Sequence, residues 1–489
     1  MNKKNLLYIA AVLVLLLFPL VGMPLFGSEW STETTELAPA PQLKTEEGKL
    51  NTSYIADAGN WFQDHFALRS DLITANSLLQ DKVFGTSASR KITVGQDDWL
   101  YFNGDMDDYQ SKNRMSEREL YNIAHNLNMI CQYYNLLGKK VVFTIPPNKT
   151  TLYPENLPFN IVKGEETGNV ERLIPYLEDL EIPYVDLFSL FREQDECLYF
   201  KQDSHWNNKG AALVYNALLE AAGYTDYETY EDAEPSMEAV HSGDLAEMLY
   251  PEKVVPEADY TYPIEGTWEY VESEEHPLEE EKNMSSYIQT VNPEGNGKLY
   301  MFRDSFGASL VPFFAQAFEE ATFSWLVPYN LSDVVLQGAD TVIIELVERN
   351  IDFLAEYGAS LPAYPAFSVQ LDPDLPDNEK IQTPQVIGYH SGPYFELKGV
   401  LRGNVPYDTD LLIRISTEDG TELGVYTPFY KSTADDDGTR LDDYEYMLDL
   451  LSDELPGKLI VEVYAKNEDS LSRIGSSVLD TAEDITAFG

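Results

Sequence analysis

An α/β domain built on a parallel sheet, followed by a small β-sandwich, is the architecture that this sequence predicts. Three observations carry that prediction. Between Ser116 and Leu346, helical stretches with 3.6-residue periodicity alternate with short apolar runs of strand length, such as 141–145, 299–302 and 341–346. The residues richest in chemistry fall in the loops that follow the early runs: Asn148, the Asp203–His205 pair and Ser305. Open α/β sheets place their ligands at such loops. Beyond a linker at 371–384 the pattern shifts to short strands separated by polar turns, which predicts the sandwich over 385–489.

Length and composition agree. The chain has 489 residues, 44% of them hydrophobic, enough for more than one packed core. Its 33 Lys and Arg face 83 Asp and Glu, a formal charge of -50 that repels nucleic acid and anionic headgroups, so nucleic acid is excluded as a partner. Most of these carboxylates read as a solvated surface.

Taken in order, residues 1–27 carry Lys3 and Lys4 ahead of an apolar run over 6–26. This predicts a single N-terminal span at the cell membrane with the bulk of the chain extracytoplasmic. Signal cleavage is the competing account, but the Ala38-Pro39-Ala40 site lies far past the run. Residues 28–53, rich in Thr, Glu, Pro and Ala, read as a spacer, and 54–370 as the α/β domain. A capping box at Ser116 and Glu119 opens a helix that Gly138 stops, and a strand over 141–145 follows. Next come a weak helix over 172–177, a strand over 184–187 and a helix over 209–222 closed by Gly223. Residues 224–297 are acidic and lack periodicity, which predicts an irregular insertion or lid. A strand over 299–302, a helix over 306–318, and strands over 321–326 and 341–346 complete the domain. Sandwich strands are expected over 394–401, 411–416 and 459–465. Cys131 and Cys197 either pair with each other or stay as unpaired core thiols.

Asp203-Ser204-His205-Trp206 and Asp304-Ser305 together hold what a serine nucleophile needs. A hydroxyl becomes nucleophilic when an imidazole takes its proton, and a carboxylate must orient that imidazole and stabilise its cation. Residues two apart in an extended segment project to one side, so Asp203 can sit beside His205. Each residue also has a structural reading. Ser305 and Asp203 can be helix caps, Trp206 can be a core residue, and Asn148 and Lys149 can complete a turn. His205 with His241 and Asp304 has no recognisable metal spacing, so no metal or cofactor is expected. His65 is read as structural, Glu345, Glu348 and Arg349 as a supporting ion pair, and Asp435-Asp436-Asp437-Gly438 as a solvated turn without full calcium-loop spacing.

Several spaced motifs resemble a known family. Gly95-Gln96-Asp97-Asp98-Trp99-Leu100-Tyr101-Phe102, Pro146-Pro147-Asn148-Lys149, Asp203-Ser204-His205-Trp206-Asn207, Arg303-Asp304-Ser305-Phe306 and Glu345-Leu346-Val347-Glu348-Arg349-Asn350 occur in the order found in SGNH-hydrolase-like alginate O-acetyltransferases, and the DHHW proteins look most similar. The resemblance implies an SGNH-hydrolase-like domain with flavodoxin-like three-layer packing. It is circularly permuted, so the Asp-His pair precedes the serine. Ser305 is then the nucleophile, His205 the base and Asp203 its orienting carboxylate. It also implies acetyl transfer onto polysaccharide hydroxyls, with a membrane-bound O-acyltransferase as acetyl supplier. Two departures stand out: Arg303 where a Gly-Asp-Ser motif has glycine, and Ser204 where Asp-His-His-Trp has its first histidine.

The expected activity is acetyl transfer to a polysaccharide through an acetyl-serine, with Asn148, Lys149, Trp206 and Arg303 as substrate-binding candidates. Carbohydrate deacetylation uses the same apparatus, and a non-catalytic glycan-binding protein on a degenerate SGNH fold is the second class. A hydrogen bond between Ser305 Oγ and His205 separates the enzyme from the binder.

Overall fold

The computed structural model describes residues 3–23, 37–45 and 48–482, apart from 226, 228, 231–232, 265, 280, 358, 364–365, 367–368, 370, 373–374, 384, 435–439 and 468–469. Part of the expected spacer, Pro373 and Asp374 of the linker, and the Asp435–Gly438 turn therefore lie outside the described residues. The N-terminal span is a correction. Among the described residues no helix is long and apolar enough to cross a membrane.

A seven-stranded mixed sheet organises the α/β region. Its strands in chain order are β1 (Lys140–Thr144), β2 (Tyr184–Val185), β3 (Glu269–Tyr270), β4 (Tyr287–Val291), β5 (Lys298–Phe302), β6 (Glu320–Ser324) and β7 (Thr341–Glu345). Their spatial order is β2-β1-β7-β5-β6-β4-β3. The first five in that order run parallel, while β4 and β3 add an antiparallel edge. The central strands are apolar throughout because both faces are covered. On one face Val141, Phe143, Tyr300, Phe302, Val342 and Ile344 pack under the helices Glu117–Leu136 and Asn169–Asp179. On the other, Val142, Leu299, Met301, Ile343 and Phe323 pack under Asn208–Ala221 and Val311–Ala317. Three layers result, as the resemblance implies.

Several boundaries differ from expectation. The strand at 184 ends at Val185, because Asp186 caps a new helix, Leu187–Arg192. The helix expected over 306–318 is a 3₁₀ segment, Phe306–Leu310, followed by an α-helix, Val311–Ala317, which takes Pro312 at its start where a missing N–H is harmless. Among the described residues, 224–297 are not wholly irregular. They form the hairpin Ser236–His241 with Glu257–Thr261, the helix Asp244–Leu249, and both antiparallel edge strands. The hairpin strand is almost wholly exposed, so it carries no apolar alternation for a sequence reading to detect. Neither cysteine is in a disulfide; Cys131 is buried and Cys197 is exposed, so only the first is a core thiol.

The C-terminal region stacks two four-stranded antiparallel sheets. Phe395, Leu397, Tyr446 and Leu448 of one meet Leu411, Ile413, Val461 and Val463 of the other in a common core. The long helix Glu117–Leu136 ties this region to the central sheet. Its capping box forms as expected, Glu119 N donating to Ser116 Oγ and Ser116 N to Glu119 Oε2. Asn126 accepts from Tyr430 N and donates to Tyr430 O. Arg118, 2% exposed, donates to the carbonyls of Tyr407 at 2.9 Å and Thr409 at 2.8 Å. Removing its guanidinium leaves both carbonyls without their charged donor, so Arg118→Ala should lower unfolding free energy by about 3 kcal/mol in urea denaturation.

Candidate active site

The Asp203–His205 segment is the tip of a tight loop. An antiparallel bridge between Tyr199 and Trp206 closes its base, with Phe200 N donating to His205 O. Asn207 then caps the helix Asn208–Ala221 by accepting from Lys209 N and Gly210 N. From below, Lys149 Nζ donates to the carbonyls of Leu100, Lys201 and Asp203 at 2.7, 2.7 and 2.8 Å, fixing the loop to the hairpin strand Leu100–Phe102. Gly243 packs so closely that an added Cβ would lie 2.3 Å from the Gln202 carbonyl oxygen, so only glycine lets the insertion approach here.

Ser305 sits at the exit of β5. Asp304, not Ser305, makes the local caps: its carboxylate accepts from Phe306 N at 2.9 Å and Val347 N at 2.8 Å. Glu345 Oε2 in turn accepts from Asp304 N. Ser305 makes no side-chain cap; its Oγ lies 2.8 Å from His205 Nε2. His205 Nδ1 lies 2.8 Å from Asp203 Oδ1. The structure therefore brings the three sequence-predicted residues into one relay, with the His205 ring held edge-on to Phe306 at 4.7 Å.

Two further residues from the insertion complete the site. His241 Nε2 lies 2.8 Å from Asp203 Oδ2, which also accepts from Asp244 N at 3.0 Å. Asp244 accepts from Ser204 Oγ at 2.6 Å and from Ser204 N at 2.9 Å, so the departure at Ser204 is absorbed by a carboxylate. From the sequence, His241 is a candidate only as a metal ligand and Asp244 is not a candidate. Their distance along the chain and the aperiodic segment that carries them left no signal. Asp203, His205 and Asp244 also place ligand-type atoms within 4.8 Å of one another, but hydrogen bonds account for this cluster. Asp304 points away to backbone amides.

Electrostatics follow from this geometry. Burial would push the Asp203 carboxyl up, but His205 and His241 hold it well below the usual range. Burial would lower His205, and the Asp203 carboxylate overrides it, raising the imidazolium to about 9. Burial and the neighbouring Asp203 charge push Asp244 up to about 6.

The relay opens onto a cleft of about 470 Å³, lined by Phe200, His241, Asp259, Tyr270, Lys282 and Asn283 among others. Of the substrate-binding candidates only Trp206 reaches it, and it does so as a core residue. It is 1% exposed, donates from Nε1 to Ser309 Oγ and stacks on Phe191, so it offers no open face for a sugar. The other three are corrected. Lys149 is fully buried, its ammonium spent on the three carbonyls, and burial lowers its pKa to about 8. Asn148 is also fully buried; its side chain donates to Asp108 and its backbone amide to Glu348. Arg303, 1% exposed, donates to the carbonyls of Asn283, Ser285 and Asp304, at 2.8, 2.7 and 3.0 Å. It thereby fastens the cleft-lining Lys282–Met284 turn to the serine turn. Gly307 makes room for it: a Cβ there would lie 2.7 Å from Arg303 Cβ. Arg349 pairs with Asp105 at 3.1 Å rather than with Glu345 or Glu348, which accept from the backbone amides of Asp304 and Asn148.

Residues 92–282 match the family model described as SGNH hydrolase-like domain, acetyltransferase AlgX. The fold and family resemblance read from the motifs are thus borne out over that segment: the chain resembles an SGNH-hydrolase-like acetyltransferase domain there, and a β-rich region follows at its C-terminal side. The matched segment includes Asp203 and His205 and ends before Ser305. Among solved structures, the chain is similar to Bacillus cereus PatB1, at 16% identity over 54% of this chain and 98% of that one, with a TM-score of 0.40. It is also similar to a DHHW family protein from Eubacterium siraeum (17% identity, 53% and 91% coverage, TM-score 0.39). The O-acetyltransferase domain of Pseudomonas putida AlgJ is a further neighbour (15%, 53% and 92%, 0.34). No curated protein matches.

Two predictions follow from the geometry. His205 accepts the Ser305 proton only when neutral, and its pKa is raised to about 9. Ester cleavage should therefore climb as pH rises from 7 and level off above about 9 in a pH–rate profile. Lys149→Met removes the charged donor from three carbonyls, of which that of Lys201 keeps its bond from Leu100 N; it should lower stability by about 3 kcal/mol in thermal or urea unfolding.

Proposed function

We propose that the chain transfers an acetyl group to a carbohydrate hydroxyl through an acetyl-Ser305 intermediate. The observation that carries this reading is the continuous Ser305–His205–Asp203 relay, with both links at 2.8 Å. His205 Nε2 takes the Ser305 proton as Oγ attacks the acetyl carbonyl, and Asp203 steadies the imidazolium that forms. The oxyanion is met by the backbone amide of Ser305 at the strand-to-helix turn. Collapse expels the donor's leaving group, which takes the proton from His205. A sugar hydroxyl then gives its proton to His205 and attacks the acetyl carbon, and Ser305 Oγ leaves with that proton.

The cleft suits a carbohydrate acceptor. Asn208, Asp259, Glu281, Lys282 and Asn283 line it with donors and acceptors, and Tyr270 adds an aromatic ring. Polysaccharide is the acceptor that the family resemblance implies, and a membrane-bound O-acyltransferase the acetyl supplier. The same relay hydrolyses an acetyl ester when water reaches the acyl-enzyme first. A pure glycan binder has no use for the relay.

The test is cleavage of a chromogenic acetyl ester by wild type and by Ser305→Ala. Loss of at least about 10³-fold in kcat/KM is expected; equal rates reject the nucleophile. Acetylated oligosaccharide, formed at the expense of free acetate when acceptor is added, marks a transferase, and an unchanged acetate yield marks an esterase.

A further inference from the structure

One wall of the cleft is fastened on two sides and still keeps an unspent donor. The 3₁₀ turn Lys282–Met284 lines the cleft together with Ser305 and His205. Behind it, Arg303 Nη2 donates to the carbonyls of Asn283 at 2.8 Å and Ser285 at 2.7 Å, so it grips the turn on both sides of Met284. Its Nη1 donates to the carbonyl of Asp304 at 3.0 Å, next to the nucleophile. The Trp325 ring lies 5.4 Å from the guanidinium, and Trp325 N donates to Ser286 O at 2.7 Å. One buried side chain thus ties the turn to the residue before Ser305.

On the other side the hydroxyl of Tyr270 donates to Asn283 Oδ1. This bond uses the acceptor end of the amide and turns Nδ2 away from Tyr270. Among the described residues nothing accepts from Asn283 Nδ2, and the atom is not buried. The other neutral side-chain donors of the cleft are already engaged. Asn208 Nδ2 donates to Asp259 and to the Tyr260 carbonyl, Trp206 donates to Ser309 Oγ, and Ser309 donates to the Phe306 carbonyl. A fixed, reachable and unspent donor is what recognition of a sugar oxygen requires.

We propose that Asn283 binds the incoming sugar through Nδ2 and that Arg303 is the positioning residue that keeps it in register with Ser305, so that this pair sets the share of acetyl passed to sugar rather than to water. Water reaches an acyl-enzyme without a contact to orient it. A sugar ring must be held with one hydroxyl at the acetyl carbon, and a wall that shifts by about 1 Å loses much of that advantage. Glycine at position 303 would offer no side chain for this tie. The inference rests on the acetyl-serine reading and adds to it the residues that choose the second nucleophile.

With nitrophenyl acetate as donor and xylotetraose as acceptor, the ratio of acetylated sugar to free acetate reports how one acyl-enzyme divides. The ratio does not depend on the fraction of active protein, so a merely structural loss leaves it unmoved. Asn283→Ala should lower it by about fivefold, the worth of one hydrogen bond. Arg303→Met should lower it at least as far, and Arg303→Lys, which keeps the charge but not the fork that spans three carbonyls, by less. An unmoved ratio in Asn283→Ala overturns the proposal, and an unmoved ratio in the Arg303 variants overturns the positioning role. Where Arg303→Met fails to fold, Arg303→Lys decides. A wild type that cleaves the ester and leaves xylotetraose unmodified strikes the transfer reading instead. The inference is then judged on kcat/KM for xylose tetraacetate relative to nitrophenyl acetate, which Asn283→Ala should lower by the same factor; an unchanged ratio overturns it.

Discussion

The charge on one buried carboxylate, Asp203, holds this site together. Removing a carboxylate from water is costly unless its oxygens are matched by donors. Here four donors converge on it: His205 N and Nδ1 on one oxygen, and His241 Nε2 and Asp244 N on the other. Each donor comes with a piece of architecture. The first two fold the loop onto itself, and the last two draw in the insertion between the helix Asn208–Ala221 and β4. The ammonium of Lys149 grips the carbonyl of the same residue from beneath. A loop so tied places His205 within reach of Ser305 without a strained turn, since Ser305 keeps ordinary helical dihedrals, φ -65° and ψ -28°.

The serine side is built by a different device. β5 ends beside β7 in the parallel sheet, and Asp304 crosses the gap by capping Phe306 N and Val347 N. Arg303 fills a position where the related motif carries glycine, and its bulk fits because Gly307 has no side chain. Its guanidinium is turned away from the reacting atoms to the carbonyls of Asn283 and Ser285. The departure therefore anchors one wall of the cleft and leaves the relay intact. An acid-rich chain thus reserves a buried arginine for backbone oxygens rather than for substrate.

What could be read in the sequence divides along physical lines. The buried parallel strands and the long capped helix were legible because a core covered on both faces leaves unbroken apolar runs, and Ser116 with Glu119 is a local signal. Asp203, His205 and Ser305 were legible because their chemistry is specific and two of them lie two residues apart. Asn148, Lys149 and Arg303 show the limit. A polar residue in a chemistry-bearing loop reads the same whether it faces substrate or holds backbone carbonyls, and only burial distinguishes the two. His241 and Asp244 were out of reach because an exposed hairpin carries them, and their meeting with Asp203 depends on tertiary packing around Gly243. The length of the apolar N-terminal run in sequence suggests a span, but among the described residues no helix is long and apolar enough to cross a membrane.

The central claim is that Ser305 carries the acetyl group. Brief incubation with an activated acetyl ester, acid quenching and peptide mass spectrometry test it without reference to the acceptor. Acetyl on the peptide containing Ser305, present in wild type and absent from Ser305→Ala, is the predicted result. An adduct on another residue, or one that persists at full level in Ser305→Ala, would contradict the account.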